Sequence, residues 1–334
     1  MDFKQLSVQH NEKGDLRKVG FEMEFSNVGV EEAVQIVQEL YGGKVEEAHR
    51  FSQKVVGTSL GDFTVEFDLT LLTEKNYKKV FNKLNIKLED YKLEKGTLED
   101  SVEDMLESVV GKIFPYEIAI PPVPCNQLGQ LEKLRQALYE HRAQGTKAFL
   151  TNAFGTHINV EVPNTRTETL INYLRAFLLL YPWLLEAGKT DLARRVSPFI
   201  DPYPEAYAKL ILNPAYQPDQ EKMISDYHRY NPDRNRPLDM YPLFSALSQD
   251  TVNQFKDIGK VKSRETFHYR LPNSSISQPD WTLAQEWNYW VVIDDLANTP
   301  DKLEKMSQEY LHLKDNCLIG FDSKWTKETE KWLT

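Results

Sequence analysis

Glu22 and Glu24 sit one residue apart in KVGFEMEFSN, a run whose other central members are Phe21, Met23 and Phe25. Read as a β-strand with a side-chain period of two, the run has one apolar face and one acidic face. A half-exposed strand with solvated glutamates explains such a pattern when it occurs once. Here it recurs. Thr64, Glu66 and Asp68 alternate with Phe63, Val65 and Phe67; Glu117 shares a face with Ala119 in YEIAIPP; His157, Asn159 and Glu161 alternate with Ile158, Val160 and Val162; His268 and Arg270 alternate with Phe267 and Tyr269. Clustered carboxylates repel one another and need protons, bases or a cation to neutralise them. Hard oxygen ligands suit Mg²⁺ or Mn²⁺, and an added imidazole suits Mn²⁺ somewhat more.

Five strands of this kind predict one sheet with helices on its apolar side and a concave polar side left for a ligand. The elements between them fit. Val30, Ala33, Val34, Val37 and Leu40 have helical spacing and end at two glycines. The stretch Gly57 to Asp62 reads as a hairpin turn, and Leu128, Leu131, Leu134 and Leu138 predict a helix over about 127–144. Asn164 and a capping box at Thr165 and Glu168 predict the start of the next helix, and Ser277 and Asp280 the start of a Trp-rich one. Residues 73–113, rich in lysine and acids, read as a helical surface insertion. Eight of the 17 prolines fall between Pro198 and Pro242, interleaved with six tyrosines. This segment, about 197–242, reads as a packed connector or a lid without long regular elements.

With 334 residues, 41% of them hydrophobic and 11% aromatic, the chain can bury a large core. Its length fits one elaborated domain or two. The net charge of -10 repels a phosphate backbone and disfavours nucleic acid as a partner. The N-terminus lacks the apolar stretch of a secretory signal, and no apolar run approaches the roughly 20 residues that span a bilayer, so a soluble cytoplasmic protein with no membrane partner is expected. Cys125 and Cys317 are too few for a disulfide framework or a zinc cluster. A phosphate-cradling G-x-x-x-x-G-K-[ST] loop, a G-x-G-x-x-G turn, H-E-x-x-H and G-x-S-x-G are all absent. Any nucleotide must therefore lie on the sheet surface, held through cations and arginines.

In order, VGFEMEF, GDFTVEFDLT, YEIAIPP, FGTHINVEV and TFHYRLPNSSI resemble the signature segments of the amidoligases, members of the carboxylate–amine ligase superfamily with glutamine synthetase and glutamate–cysteine ligase. The resemblance spans residues 17 to about 295. It implies an α+β fold with a glutamine-synthetase-like antiparallel sheet in a single catalytic domain over 1–334. It also implies Mg²⁺-dependent use of ATP, with Mn²⁺ as the second candidate ion, to join a small-molecule or peptide carboxylate to an amine. A glutamine amidotransferase-like enzyme is a partner that the resemblance suggests.

Carried over residue by residue, Glu22, Glu24, Glu117 and His157 match the metal-binding positions. Asp68, His157 and Arg270 match catalytic ones, and Asn159, Arg264, His268 and Arg270 fall where the nucleotide would be bound. Asn159 stands where the family often has a second histidine, and His268 where it often has a glutamate. These departures leave altered substrate or metal handling open, and equally a degenerate site. Two other functions stay open: a non-catalytic nucleotide- or peptide-binding protein on the same scaffold, and a phosphotransferase acting on a guanidino or amino group.

Overall fold

The computed structural model describes residues 1–49, 52–67, 115–146, 154–196 and 200–334. Asp68 and the expected insertion at 73–113 lie outside the described residues. β1 (Lys18–Phe25) is the central strand, with Val19, Phe21, Met23 and Phe25 fully buried on its apolar face. It is flanked on both sides by antiparallel partners, β5 (Tyr116–Pro124) and β6 (Thr156–Glu161). Beyond β5 lie β4 (Phe63–Phe67), β3 (Ser52–Val56) and β2 (Lys44–His49); beyond β6 lie β8 (Thr266–Tyr269) and the two-residue β7 (Leu238–Asp239). The eight strands form one antiparallel sheet in the order β2-β3-β4-β5-β1-β6-β8-β7.

Two groups of helices cover the apolar face. α1 (Val30–Tyr41) packs on β3 and β4, where Tyr41 stacks on Phe63 at 5.4 Å between ring centroids. The chain leaves α1 through Gly42 and Gly43, both at positive φ. A side chain on Gly43 would come within 2.8 Å of Val56 O and Thr58 Cγ2, so only glycine fits this exit. α2 (Glu132–Glu140), preceded by a 3₁₀ turn at Leu128–Leu131, packs beside α1. On the other half, α3 (Thr167–Ala187) and α9 (Leu283–Ala297) sit under β6 and β8. Tyr173 of α3 stacks on Phe267 at 4.5 Å, and Trp290 of α9 lies 5.4 Å from Phe267 and 5.5 Å from Tyr269. Each such ring contributes about 2–3 kcal/mol by leaving water. α10 (Pro300–Asn316) and α11 (Phe321–Leu333) close the outside of α3. Among the described residues no helix is long and apolar enough to cross a membrane.

Several local expectations change. α3 starts at Thr167 rather than at the Thr165 box; Asn164 instead folds its Oδ1 onto the Arg166 N–H and Nε. α9 starts at Leu283, because Thr282 accepts the Gln285 N–H at 3.2 Å and takes the cap that Ser277 and Asp280 were expected to supply. β5 runs on through Pro121 and Pro122, where β4 no longer pairs with it and the missing proline N–H groups cost no ladder bond on that side.

The Pro/Tyr-rich stretch is more regular than expected. After the short α4 (Leu192–Val196) come α5 (Glu205–Leu212), α6 (Gln220–Tyr230) and α7 (Tyr241–Leu247), followed by α8 (Gln249–Val252). Pro204 precedes α5 and Pro242 lies in the first turn of α7, where a missing N–H does no harm. Tyr203, Tyr207, Tyr227 and Tyr241 pack ring against ring, and Tyr203 also meets Phe177 of α3.

Candidate functional site

Cross-strand register builds the site. Glu24 on β1 faces Glu117 on β5, which faces Glu66 on β4. Glu22 faces His157 on β6, and Asn159 faces His268 on β8, which faces Asp239 on β7. Directly opposed residues share a face, so the two rows lie together on the side of the sheet opposite the aromatic core.

Glu22 is the hub. Its Oε1 accepts from Arg264 Nη1 at 2.8 Å and from Asn159 Nδ2 at 3.1 Å; its Oε2 lies 3.1 Å from His157 Nδ1 and 3.5 Å from His268 Nε2. Burial alone would raise its pKa, but the hydrogen bonds and charges of its neighbours outweigh this and hold the carboxyl well below its usual range. Burial pushes His157 the other way, down to about 3. The ring is therefore neutral at physiological pH, and the carboxylate's fixed counter-charge is Arg264. Asp239, buried with Arg234 Nε at 3.2 Å, the Tyr241 N–H at 3.0 Å and His268 Nδ1 at 3.8 Å, is also held below its usual range against the opposing effect of burial.

Glu24 is fixed differently. Its Oε2 accepts the Gly155 N–H at 2.6 Å and its Oε1 lies 3.6 Å from His157 Nε2. Arg194, 2% exposed on α4, lies against Gly155 and donates from Nη2 to the Arg270 carbonyl at 2.5 Å. Burial lowers its pKa to about 10, which leaves it charged at neutral pH. Arg270 itself donates from Nη1 to Arg234 O at 2.8 Å, while its buried Nε has no hydrogen-bond partner among the described residues.

Seven of the expected residues thus converge: Glu22, Glu24, Glu117, His157, Asn159, Arg264 and His268. Arg270 lies at the end of β8, tied to the backbone of the β7 approach rather than to Glu22. Asp239 and Gly155 join the site without having been singled out for it. Asp239 lies on a strand too short to show alternation, and Gly155 acts only through its backbone. Among the described residues two groups of donor atoms, Glu22–His157–His268 and Glu24–Glu117–His157, each lie within 4.8 Å of one another and fit divalent cations by charge and chemistry.

An open cavity of about 490 Å³ between α3 and α10 lies away from this face. Its Arg175 is bonded to the backbone carbonyls of Ile211, Asn213 and Tyr216, a structural use.

Residues 15–292 match the family model described as "putative amidoligase enzyme". No curated protein and no protein of solved structure matches the chain. A match of this extent, over the strands that carry the acidic and imidazole groups, assigns the chain to the amidoligase family.

Proposed function

We propose that the protein is an ATP- and Mg²⁺-dependent carboxylate–amine ligase that forms an amide through an acyl phosphate, on a glutamine-synthetase-like sheet. The observation that carries this reading is the register that gathers Glu22, Glu24, Glu117, His157 and His268 on one sheet face in a chain of the amidoligase family. A carboxylate is a poor acyl donor, and phosphorylation by ATP activates it. Glu22, Glu24, Glu117 and His157 would hold the divalent cation, which when bound neutralises phosphate charge during transfer.

The chain's own groups account for the remaining needs. Arg264, about a third exposed at its side chain, can turn from Glu22 to a phosphate without leaving a deeply buried cation behind. Arg270, just past the other end of β8, offers an Nε with no hydrogen-bond partner among the described residues, and Asn159 and His268 lie opposite each other on β6 and β8. In this reading Asp68 takes the proton of the attacking amine, and His157, neutral at working pH, keeps a lone pair free at one nitrogen.

The test is to incubate the protein with ATP, Mg²⁺ and pools of carboxylates and amines, with hydroxylamine as a trap. The expected result is ADP and phosphate in equal amounts, dependent on a carboxylate, with a hydroxamate formed from the trap. ATP binding with no ADP would instead identify a binding protein. ADP with a phosphorylated amine and no free phosphate would identify a phosphotransferase.

A further inference from the structure

We propose that the groove between α3, α10 and the loop from α5 to α6 binds a small zwitterion of the α-amino-acid class with an apolar side chain, at a position separate from the sheet face. The proposal stands apart from the ligase reading and does not need it.

The groove is built around one fixed cation. Arg175 Nε donates to the Ile211 carbonyl at 2.8 Å, and its Nη2 donates to the carbonyls of Tyr216 at 2.9 Å and Asn213 at 3.2 Å. These bonds take three of the five N–H groups of the guanidinium and fix its plane. Nη1 keeps two N–H groups with no hydrogen-bond partner among the described residues, and Arg175 lines the groove. The carbonyls satisfy donors but bring no counter-charge. A preset planar cation with donors to spare suits a carboxylate.

The other charges of the groove are negative. Glu168 stands on α3 and Glu304 on α10, and both line the same space. Burial lowers the pKa of Arg175 while Glu304 and Glu168 act against that, so both carboxylates are near enough to be felt. Among the described residues neither forms an ion pair with it; Glu304 accepts only Gln308 Nε2, at 3.1 Å, and Glu168 makes no ion pair at all. This combination selects the ligand. A simple anion drawn to Arg175 would meet two carboxylates, and a simple amine drawn to the carboxylates would meet Arg175. A molecule with a carboxylate and an ammonium satisfies all three groups.

The lining fits such a molecule. Asn172 falls between Glu168 and Arg175 on one side of α3, and its carboxamide has no hydrogen-bond partner among the described residues. It can accept from the ammonium and donate to the carboxylate. Ile171, Leu212 and Leu303 supply an apolar lining for the ligand's side chain. The volume of about 490 Å³ lies within the range of small-molecule sites.

The experiment uses the full chain in chelator, without nucleotide. NMR titrations compare L-leucine with 4-methylpentanoate, which lacks the ammonium, and with 3-methylbutylamine, which lacks the carboxylate. The expected result is that L-leucine binds and that loss of either charged group weakens binding about tenfold or more. Glu168→Gln combined with Glu304→Gln, at two exposed positions, should weaken L-leucine about tenfold and leave 4-methylpentanoate binding as well as before or better. Arg175→Gln should weaken both acids; should that variant not fold, the glutamate double variant decides. Failure of the folded wild-type protein to bind L-leucine would overturn the proposal, as would equal binding of the three compounds. Binding of L-leucine that is unchanged in the double variant would place it elsewhere, the sheet face included, and would overturn the proposal as well.

Discussion

Gly155 and Glu24 hold each other twice: the Gly155 N–H donates to Glu24 Oε2 at 2.6 Å, and the Glu24 N–H donates to the Gly155 carbonyl at 3.0 Å. The close approach of Arg194 depends on the same glycine. A Cβ at Gly155 would lie 2.4 Å from Arg194 Nη1 and 2.7 Å from Nη2, so Gly155→Ala must displace either the guanidinium or the strand. Overpacking of this kind costs about 1–3 kcal/mol. The site should lose more than the fold does, because Glu24 is oriented through this backbone. We expect divalent-cation affinity to fall about 10- to 100-fold by calorimetry while the circular dichroism stays native. Unchanged affinity would show that Gly155 does not orient Glu24.

Opposed titrations should shape the pH dependence of stability in chelator. Native His157 takes its proton only near 3, whereas the unfolded chain takes it near 6.5, so stability falls as pH drops through that window. Burial raises Glu286 from 4.5 to about 7, so its contribution is complete below 4.5 and is lost as pH rises toward 7. Between about 4.5 and 6.5 the two cancel and urea midpoints should be nearly flat. Below 4.5 the depressed carboxyls of Glu22 and Asp239 act in the same direction as His157, and stability should fall steeply. Glu286→Gln removes one arm, and its midpoint should rise with pH from 4.5 to 6.5. A variant as flat as the parent would mean that Glu286 does not titrate as its burial implies.

Strict alternation made β1, β4, β6 and β8 legible, and with them the shared face of Glu22, Glu24, His157 and His268. The same holds for the β3–β4 hairpin, where Asp62 Oδ1 accepts the Gly57 N–H, and for the glycine exit of α1. Where the reading failed, the signal was ambiguous or not local. Pro204 and Pro242 read as breakers in the sequence yet mark helix starts, and Asp239 has no periodic neighbours. Arg17 and Asp294, 277 residues apart, carry no sequence sign that they form a buried ion pair at 2.8 Å.

That pair is the joint between sheet and helices. Asp294 Oδ1 also accepts the Tyr173 hydroxyl at 2.5 Å, its Oδ2 accepts the Ser7 N–H at 3.0 Å, and Arg17 Nε donates to the Glu161 carbonyl at 2.7 Å. Removing one partner leaves the other charge buried, so Asp294→Ala should destabilise by about 3–5 kcal/mol in urea unfolding. Arg17→Met combined with Asp294→Leu removes both charges and should cost less than the single change. A double variant worse than either single would show that the pair itself, rather than the orphaned charge, supplies the stability.

Arg270 tests the chemistry proposed for the site. Its backbone is tied on both sides, by its N–H to Pro237 O at 2.8 Å and by its carbonyl to Arg194, so the β7–β8 contact does not depend on its side chain. Among the described residues the side chain makes one hydrogen bond, Nη1 to Arg234 O, and Lys at this position keeps the charge and gives up the planar fork that grips phosphate oxygens. Loss of that bond should cost about 1 kcal/mol of stability. If Arg270 stabilises the transferring phosphoryl group, kcat for ADP formation should fall about 100- to 1,000-fold in Arg270→Lys, with a much smaller change in KM for ATP. A strut would behave differently: activity would fall only as far as the folded fraction does, and lowering the temperature would restore it. A kcat that recovers on cooling in parallel with folding would therefore remove Arg270 from the catalytic groups.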